Sequence, residues 1–271
     1  MQILLIGCGK MGSAMLSAWL DNGIVTRATI VDRHPNDTAR RFDAHEKQIE
    51  VYADVSALPA DITPALVILA VKPQQMAAML AELAPRLKPE WPVMTIAAGL
   101  RSEFYLHHLP QNPIIRVMPN TPVIVGKGMT IATAVGYLNT ALRTMVEKLL
   151  HATGDFLWLN TEDQLDAAMA ISASGPGYFF YFAEQLAKAG EAYGLTPKQT
   201  MRLARQTLIG VGAMTEAQTG AQLTELREGS LTQGGVTIAA LQAWDKEGAF
   251  PDLIAAGIAA NIARSQALAK L

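Results

Sequence analysis

The sequence predicts an α/β doubly wound parallel sheet over residues 1–159, followed by an all-α domain over residues 160–271. Three observations predict it. Short β-branched runs alternate with helical stretches through the first half, the strand signal stops near Asn160, and a glycine pattern stands where the first strand meets the first helix.

The strand candidates are Ile3–Ile6, Ala28–Asp32, Leu66–Val71, Val93–Ala97, Ile114–Met118 and Met129–Ala132. They are apolar throughout rather than alternating, which is the pattern of strands buried on both faces. Lys10–Asn22 and Pro73–Leu87 read as helices between them, the order that yields right-handed crossovers. The prolines at 85, 89 and 92 mark a surface connection.

Beyond Asn160 the grammar is helical. Thr161-Glu-Asp-Gln164 is a capping box, its hydroxyl and carboxamide satisfying free N–H groups at a helix start. Thr196-Pro-Lys-Gln199 repeats it, with Pro197 at the first helical position and Gly194 suited to the end of the helix before. Between them, Pro176–Tyr193 is apolar nearly all round, with Tyr178, Phe179, Phe180, Tyr181, Phe182 and Leu186. A helix without a polar face must be covered on all sides, by a central place in one core or by a partner subunit. A domain of about 110 residues has little interior for it, which favours the partner.

Composition narrows the function classes. The 271 residues suffice for one large or two ordinary domains, and 50% hydrophobic with 17% charged residues excludes a disordered chain. Lys plus Arg is 22 and Asp plus Glu is 24, so the net charge of −2 leaves no basic footprint for nucleic acid. A single cysteine, Cys8, excludes a disulfide framework and a cysteine-based zinc site. No metal set is expected from the histidines either: His107 and His108 are adjacent and face different ways, and His34, His45 and His151 are isolated. Apolar runs such as Leu66–Val71 fall far short of the ~20 residues of a membrane span. Met1–Ile6 has no cationic lead of an export signal, so a cytoplasmic location without membrane partners is expected.

Gly7-Cys-Gly-Lys-Met-Gly12 is a full G-x-G-x-x-G in its proper context, after a strand and opening a helix. Gly7 permits the tight turn, Gly9 lets the backbone approach a pyrophosphate, and Gly12 permits close helix–strand packing. The helix start then offers N–H donors and a partial positive charge to the anion. Asp32 follows Gly12 by 20 residues, where a ribose-binding carboxylate is expected. The next residues, Arg33 and His34, suit a 2′-phosphate instead, which would require Asp32 to turn away; the residues leave NADPH and NADH both open. Cys8 is read as a small residue that fits the loop rather than a redox group, since no second cysteine exists to resolve an oxidised sulfur.

Ala70-Val-Lys-Pro73 and Met118-Pro-Asn-Thr-Pro122 end strands at their carboxyl ends, where ligands bind in open α/β sheets. Gly229–Thr237 is a polar, glycine-rich turn before a helix, a place for a carboxylate or simply a connector. No nucleophile–base arrangement is legible, which suits hydride transfer, where the cofactor carries the chemistry.

Taken together, GCGKMG at 7–12, AVKP at 70–73, AAG at 97–99, MPNTP at 118–122, SASGPGY at 172–178 and TQGGVTIAAL at 232–241 resemble the pyrroline-5-carboxylate reductase family over almost the whole chain. The resemblance implies a Rossmann-type domain, then a helical substrate-binding and dimerisation domain, in dimers that often form decamers. It implies reduction of L-1-pyrroline-5-carboxylate to L-proline, the last step of proline synthesis, with NADPH or NADH. The cofactor positions it implies are Ile6, Gly7, Cys8, Gly9, Lys10, Met11, Arg33, His34, Val71, Lys72 and Ala98, joined by Gly12, Asp32, Ala70 and Asn120 from the motifs themselves. The substrate positions are Glu162, Ser174, Gly175, Thr232, Gly235, Val236 and Thr237, with the Thr237 hydroxyl at the imine nitrogen as the catalytic contact. No metal is implied. Each has a structural counterpart: Thr237 as N-cap of an Ile238–Trp244 helix, and Glu162 as a carboxylate complementing a helix start, the latter reading slightly ahead. Gln233 replaces the family's usual proline in the turn and Val236 a small or hydroxyl residue, and Gly229 stands where some members have an asparagine; Ala173 and Gly177 also depart. These departures bear on substrate scope more than on reaction type.

Two other functions compete. A 3-hydroxyacid or 6-phosphogluconate type of dehydrogenase shares the G-x-G-x-M-G start, but its Lys with an Asn four positions on is missing, since Lys188 is followed by Ala192. A non-catalytic dinucleotide-binding protein would keep the loop and lose the substrate turn.

Overall fold

A computed structural model describes residues 1–42, 45, 48–136 and 138–268. The strands are β1 (Gln2–Ile6), β2 (Arg27–Val31), β3 (Ile49–Tyr52), β4 (Leu66–Leu69), β5 (Val93–Thr95), β6 (Ile114–Met118), β7 (Gly128–Val135) and β8 (Gly154–Trp158). They form one sheet in the order β3-β2-β1-β4-β5-β6-β7-β8. All neighbours are parallel except β6 and β7, so the Met129–Ala132 run belongs to a longer, antiparallel strand.

Period-two alternation explains the unbroken apolar runs. Ile3 and Leu5 of β1 and Leu66 and Ile68 of β4 enter one core, while Leu4, Ile6, Val67 and Leu69 enter the other. Helices α1 (Lys10–Asp21) and α5 (Thr140–His151) cover the first face with Met15, Leu16, Trp19, Val146 and Leu149. There the Trp19 indole N–H donates to the Leu149 carbonyl at 2.8 Å. Helices α3 (Pro73–Leu83) and α4 (Ser102–His108) cover the second face with Met76, Leu80, Leu83 and Tyr105. The predicted helix to Leu87 stops at Leu83, because Pro85 starts a 3₁₀ turn over Ala84–Arg86. The short helix α2 (Pro35–Arg41) follows β2.

β3 and β8 escape the sequence reading because both are edge strands. β3 is half-buried at all four positions and β8 alternates half-buried with exposed, so neither makes an apolar run. Three predicted strands also end early, at Val31, Leu69 and Thr95, where the chain leaves the sheet.

The remaining helices are α6 (Glu162–Ser172), α7 (Gly175–Glu191), α8 (Pro197–Ala217), α9 (Leu223–Gly229), α10 (Val236–Trp244) and α11 (Ala249–Leu268). Both expected capping boxes form, at Thr161 with Gln164 and at Thr196 with Gln199. Gly194 takes φ +86°, the left-handed turn after α7. The chain divides into two compact units, Met1–Ser174 with the chain from Ile262 on, and Gly175–Asn261. Leu159 therefore marks the end of the sheet, while the first unit runs on through α6.

In the second unit the rings of Phe182, Trp244 and Phe250 pack in series, and the Asn261 amide donates to the Tyr178 hydroxyl at 2.9 Å. The apolar helix is not enclosed: Phe179, Phe180 and Tyr181 are 66%, 63% and 64% exposed. A central place in the core of one chain is thereby excluded, and the face is left for another surface to cover.

Candidate active site

A cleft of 670 Å³ opens at the carboxyl ends of β1, β2 and β4. It is lined by Ile6, Gly7, Cys8, Gly9, Asp32, Arg33, His34, Ala70, Val71 and Lys72 among the expected cofactor residues. Val31, Ala53, Asp54 and Val55, and one face of α3 with Gln74, Gln75, Ala78, Met79 and Glu82, complete it. Lys10, Met11 and Gly12 continue from the loop into the first turn of α1 without lining the cleft. Ala98 lies exposed in the loop after β5, also outside the lining.

The three loop glycines differ physically. Gly7 has φ +87°, and a Cβ there would stand 2.8 Å from Val71 Cγ1 and 2.9 Å from the Ala70 carbonyl. At Gly12 a Cβ would stand 2.9 Å from the Gly7 carbonyl, which is the close helix–strand packing expected of it. Gly9, the N-cap of α1, has an ordinary φ of −69°, and a Cβ would meet no atom within 4 Å among the described residues. Space and free N–H groups at the start of α1 thus fit a pyrophosphate.

Asp32 lies in the cleft wall with both carboxylate oxygens bonded to the backbone of the protein itself. One oxygen accepts the Cys8 N–H at 2.7 Å and the other the His34 N–H at 2.8 Å, so the side chain latches the glycine loop to the end of β2. Arg41 at the end of α2 braces the same loop, donating to the Cys8 carbonyl at 2.7 Å. Burial pushes the Cys8 thiol up to about 12, in keeping with a steric rather than a redox role.

Asn120 lies outside the lining of the cleft. The motif reading puts it at the cofactor, whereas its buried amide donates to the Ser172 carbonyl at 3.0 Å and accepts the Met129 N–H at 2.9 Å. Both ends are committed to tying the end of α6 to the start of β7. Asn120→Ala leaves two half-buried backbone groups without this partner and is expected to cost about 1–2 kcal/mol, with Tm lower by a few degrees and cofactor Kd unchanged. A weakened cofactor Kd at unchanged Tm would restore the original assignment.

Glu162 opens α6 in a dense polar cluster that the sequence does not reveal. Its Oε1 accepts the Ser102 N–H and hydroxyl at 2.9 Å each and Arg116 Nη1 at 2.5 Å. Arg116 projects from mid-β6, 1% exposed, with Nη2 3.6 Å from Asp166. Among the described residues its Nε and Nη2 make no hydrogen bond. Arg101 lies 3.7 Å from Glu162 and pairs with Asp163 at 2.6 Å and Asp166 at 3.5 Å. Burial works to raise the Glu162 carboxyl, but the Ser102 N–H and the Arg116 guanidinium outweigh it and hold it below the usual carboxylate range. The structural reading of Glu162 therefore rests on an ion pair across the sheet, beyond the helix start.

The other substrate positions lie at the end of α6 and in the second unit. Ser174 ends the first unit, its N–H donating to the Met169 carbonyl at 3.2 Å, and Gly175 opens α7. Thr232–Gly235 forms a turn in which the Gly235 N–H donates to the Thr232 carbonyl at 2.7 Å and Gly234 has φ +71°. This is the turn that needs glycine third and tolerates proline second, so Gln233 keeps the geometry without proline's stiffness. Gly235, not Thr237, is the N-cap of α10, and no side chain caps it. Thr237 sits in the first turn with an exposed hydroxyl that makes no hydrogen bond among the described residues. Val236, 89% exposed, stands beside it. No group of three or more metal-ligating side chains occurs among the described residues.

Known proteins share this layout. Residues 162–268 match a family model described as pyrroline-5-carboxylate reductase dimerisation, and residues 2–99 one described as NADP oxidoreductase, coenzyme F420-dependent. A pyrroline-5-carboxylate reductase of Pseudomonas aeruginosa is 34% identical over 270 residues, 99% of this chain and 97% of the relative. One of Haemophilus influenzae is 33% identical over 99% of this chain and 98% of the relative. The solved pyrroline-5-carboxylate reductase of Coxiella burnetii superposes with a TM-score of 0.87 at 27% identity, covering 99% of this chain and 98% of that one. With about a third of its residues identical over near-complete coverage, and the same fold, the chain belongs to the pyrroline-5-carboxylate reductase family.

Proposed function

We infer that this chain catalyses the NAD(P)H-dependent reduction of L-1-pyrroline-5-carboxylate to L-proline, the last step of proline biosynthesis, as an oxidoreductase of the cytoplasm. The observation that carries the reading is the dinucleotide cleft of the first unit, in a chain that also carries the Thr232–Thr237 turn and whose relatives bear that activity in their names. A Plasmodium falciparum pyrroline carboxylate reductase has been solved with NADP bound, which supports the cofactor class.

A protonated cyclic imine is already electrophilic at its ring carbon, so the protein need supply orientation rather than a base. The reduced nicotinamide supplies the hydride when bound. The first-turn N–H groups of α10 at Val236 and Thr237 have no partner within the helix and suit the substrate carboxylate. The Gly235 N–H, spent on the Thr232 carbonyl, is not part of that site. The Thr237 hydroxyl, without a competing partner, accepts the N–H of the ring nitrogen and holds the imine in place.

Thr237→Ala is expected to lower kcat/KM by about 10–100-fold, one polar contact in the transition state, while Tm stays within a degree because the hydroxyl caps nothing. Thr237→Ser should recover most of the activity. An unchanged kcat/KM, or a fall in Tm with normal turnover, would remove Thr237 from the reaction.

The matched dimerisation segment and the exposed aromatic face of α7 support self-association, as a dimer or decamer. No helix among the described residues is long and apolar enough to cross a membrane.

A further inference from the structure

The structure assigns Gln75 a role in choosing the cofactor: we propose that it is a positioning residue that holds the Arg33 guanidinium for the 2′-phosphate of NADPH, so that the enzyme prefers NADPH to NADH. The proposal rests on the reading of this chain as an NAD(P)H-dependent reductase. Gln75 stands in the first turn of α3, on the opposite wall of the cleft from Arg33 at the end of β2. With its amide turned so that both groups are satisfied, its oxygen accepts from Arg33 Nη1 at 3.2 Å and, more closely, from Nη2.

Three features give this contact its meaning. First, a guanidinium presents two forked edges, one between the two Nη atoms and one between Nε and an Nη. Gln75 occupies the first and leaves the second for a bidentate phosphate. Second, the holding group is neutral. Arg33 makes no ion pair among the described residues, so its full charge is kept for a ligand, whereas a carboxylate partner would cancel it. Third, of the three acids that line the cleft, Asp32, Asp54 and Glu82, the two on the β-strand side are tied back. Asp32 accepts from the Cys8 and His34 N–H groups, and one Asp54 oxygen accepts the Ser56 hydroxyl at 2.5 Å and the Ala57 N–H at 3.1 Å. An Asp32 that would take the ribose hydroxyls of NADH is thus turned to the loop, beside an arginine braced for an extra phosphate.

The test is calorimetric titration of the full-length protein with NADP⁺ and NAD⁺, for wild type, Gln75→Leu, Arg33→Met and the double variant, with kcat/KM for NADPH and NADH alongside. Wild type is expected to bind NADP⁺ more tightly. Gln75→Leu should weaken NADP⁺ about 5–10-fold and NAD⁺ less than 2-fold, one hydrogen bond's worth acting on one ligand only. In the Arg33→Met background the same change should do nothing further, the non-additivity of a residue that acts through another. Equal weakening of both cofactors, no weakening, tighter NADP⁺ binding, or an additive double variant would each overturn the proposal. Nucleotide binding without turnover of pyrroline-5-carboxylate in wild type would fail the functional reading and leave this one to stand or fall on the titration.

Discussion

Arg116→Met is expected to lower Tm by roughly 5–10 °C, because it breaks the buried ion pair that anchors α6 to the sheet. The guanidinium is buried in mid-sheet and shares the Glu162 carboxylate with Ser102. Removing one partner of a buried pair typically costs about 3–5 kcal/mol, because the other is left buried and unpaired. Here Glu162 keeps its Ser102 donors and some solvent, so about 2–3 kcal/mol is expected. The pH dependence fixes the cause. Glu162 has a folded pKa below its unfolded value, so it contributes stability above about pH 4.3, and that stability is lost as pH falls through the folded value. The gap between wild type and Arg116→Met should therefore be full near neutrality and narrow in acid. A Tm within a degree of wild type at pH 7, or a gap that persists unchanged in acid, would mean that the pair is not what holds α6.

Gly9→Ala should have the largest effect on ligand binding with the least effect on the fold. A methyl at Gly9 meets no atom within 4 Å among the described residues and sits on an ordinary backbone. Glycine there answers no need of the protein itself; it answers the close approach of a pyrophosphate. Cofactor affinity is expected to fall about 100-fold, some 2.7 kcal/mol, with Tm unchanged. Gly12→Ala is the internal contrast, since its methyl would stand 2.9 Å from the Gly7 carbonyl and 3.2 Å from Ala70 Cβ. That variant should lose stability first. Thermal melts and cofactor titrations of the two variants check the separation, and a Gly9→Ala protein that binds normally would place the pyrophosphate elsewhere.

The sequence makes legible what repeats or what is local. Two-sided burial writes itself as apolar runs, which is why β1, β4 and β6 are readable, and caps such as Thr161 and Thr196 depend on residues three apart. Edge strands β3 and β8 bury too little to leave a run. The glycine loop is readable because its constraint is a backbone one. What the sequence does not show is which way a polar side chain turns. Asp32 faces its own loop, Asn120 faces Ser172 and Met129, and Thr237 does not cap its helix, all decided by contacts with backbone groups that carry no side-chain signature. Arg116 is a lone charge in an apolar run, and its partner Glu162 lies 46 residues on, a separation at which no local rule applies. Gln75 belongs to no phosphate-binding pattern and joins the cleft only because one face of α3 lines it.

The measurement that bears most directly on the reductase reading is the reaction itself, with pyrroline-5-carboxylate and NADPH as reactants and proline quantified as product. One L-proline formed for each NADPH oxidised, with no oxidation when the imine is withheld, is the predicted result. Binding of NADPH without imine-dependent oxidation would contradict it, and would make the chain a dinucleotide-binding protein whose Gly229–Thr237 turn no longer serves this substrate.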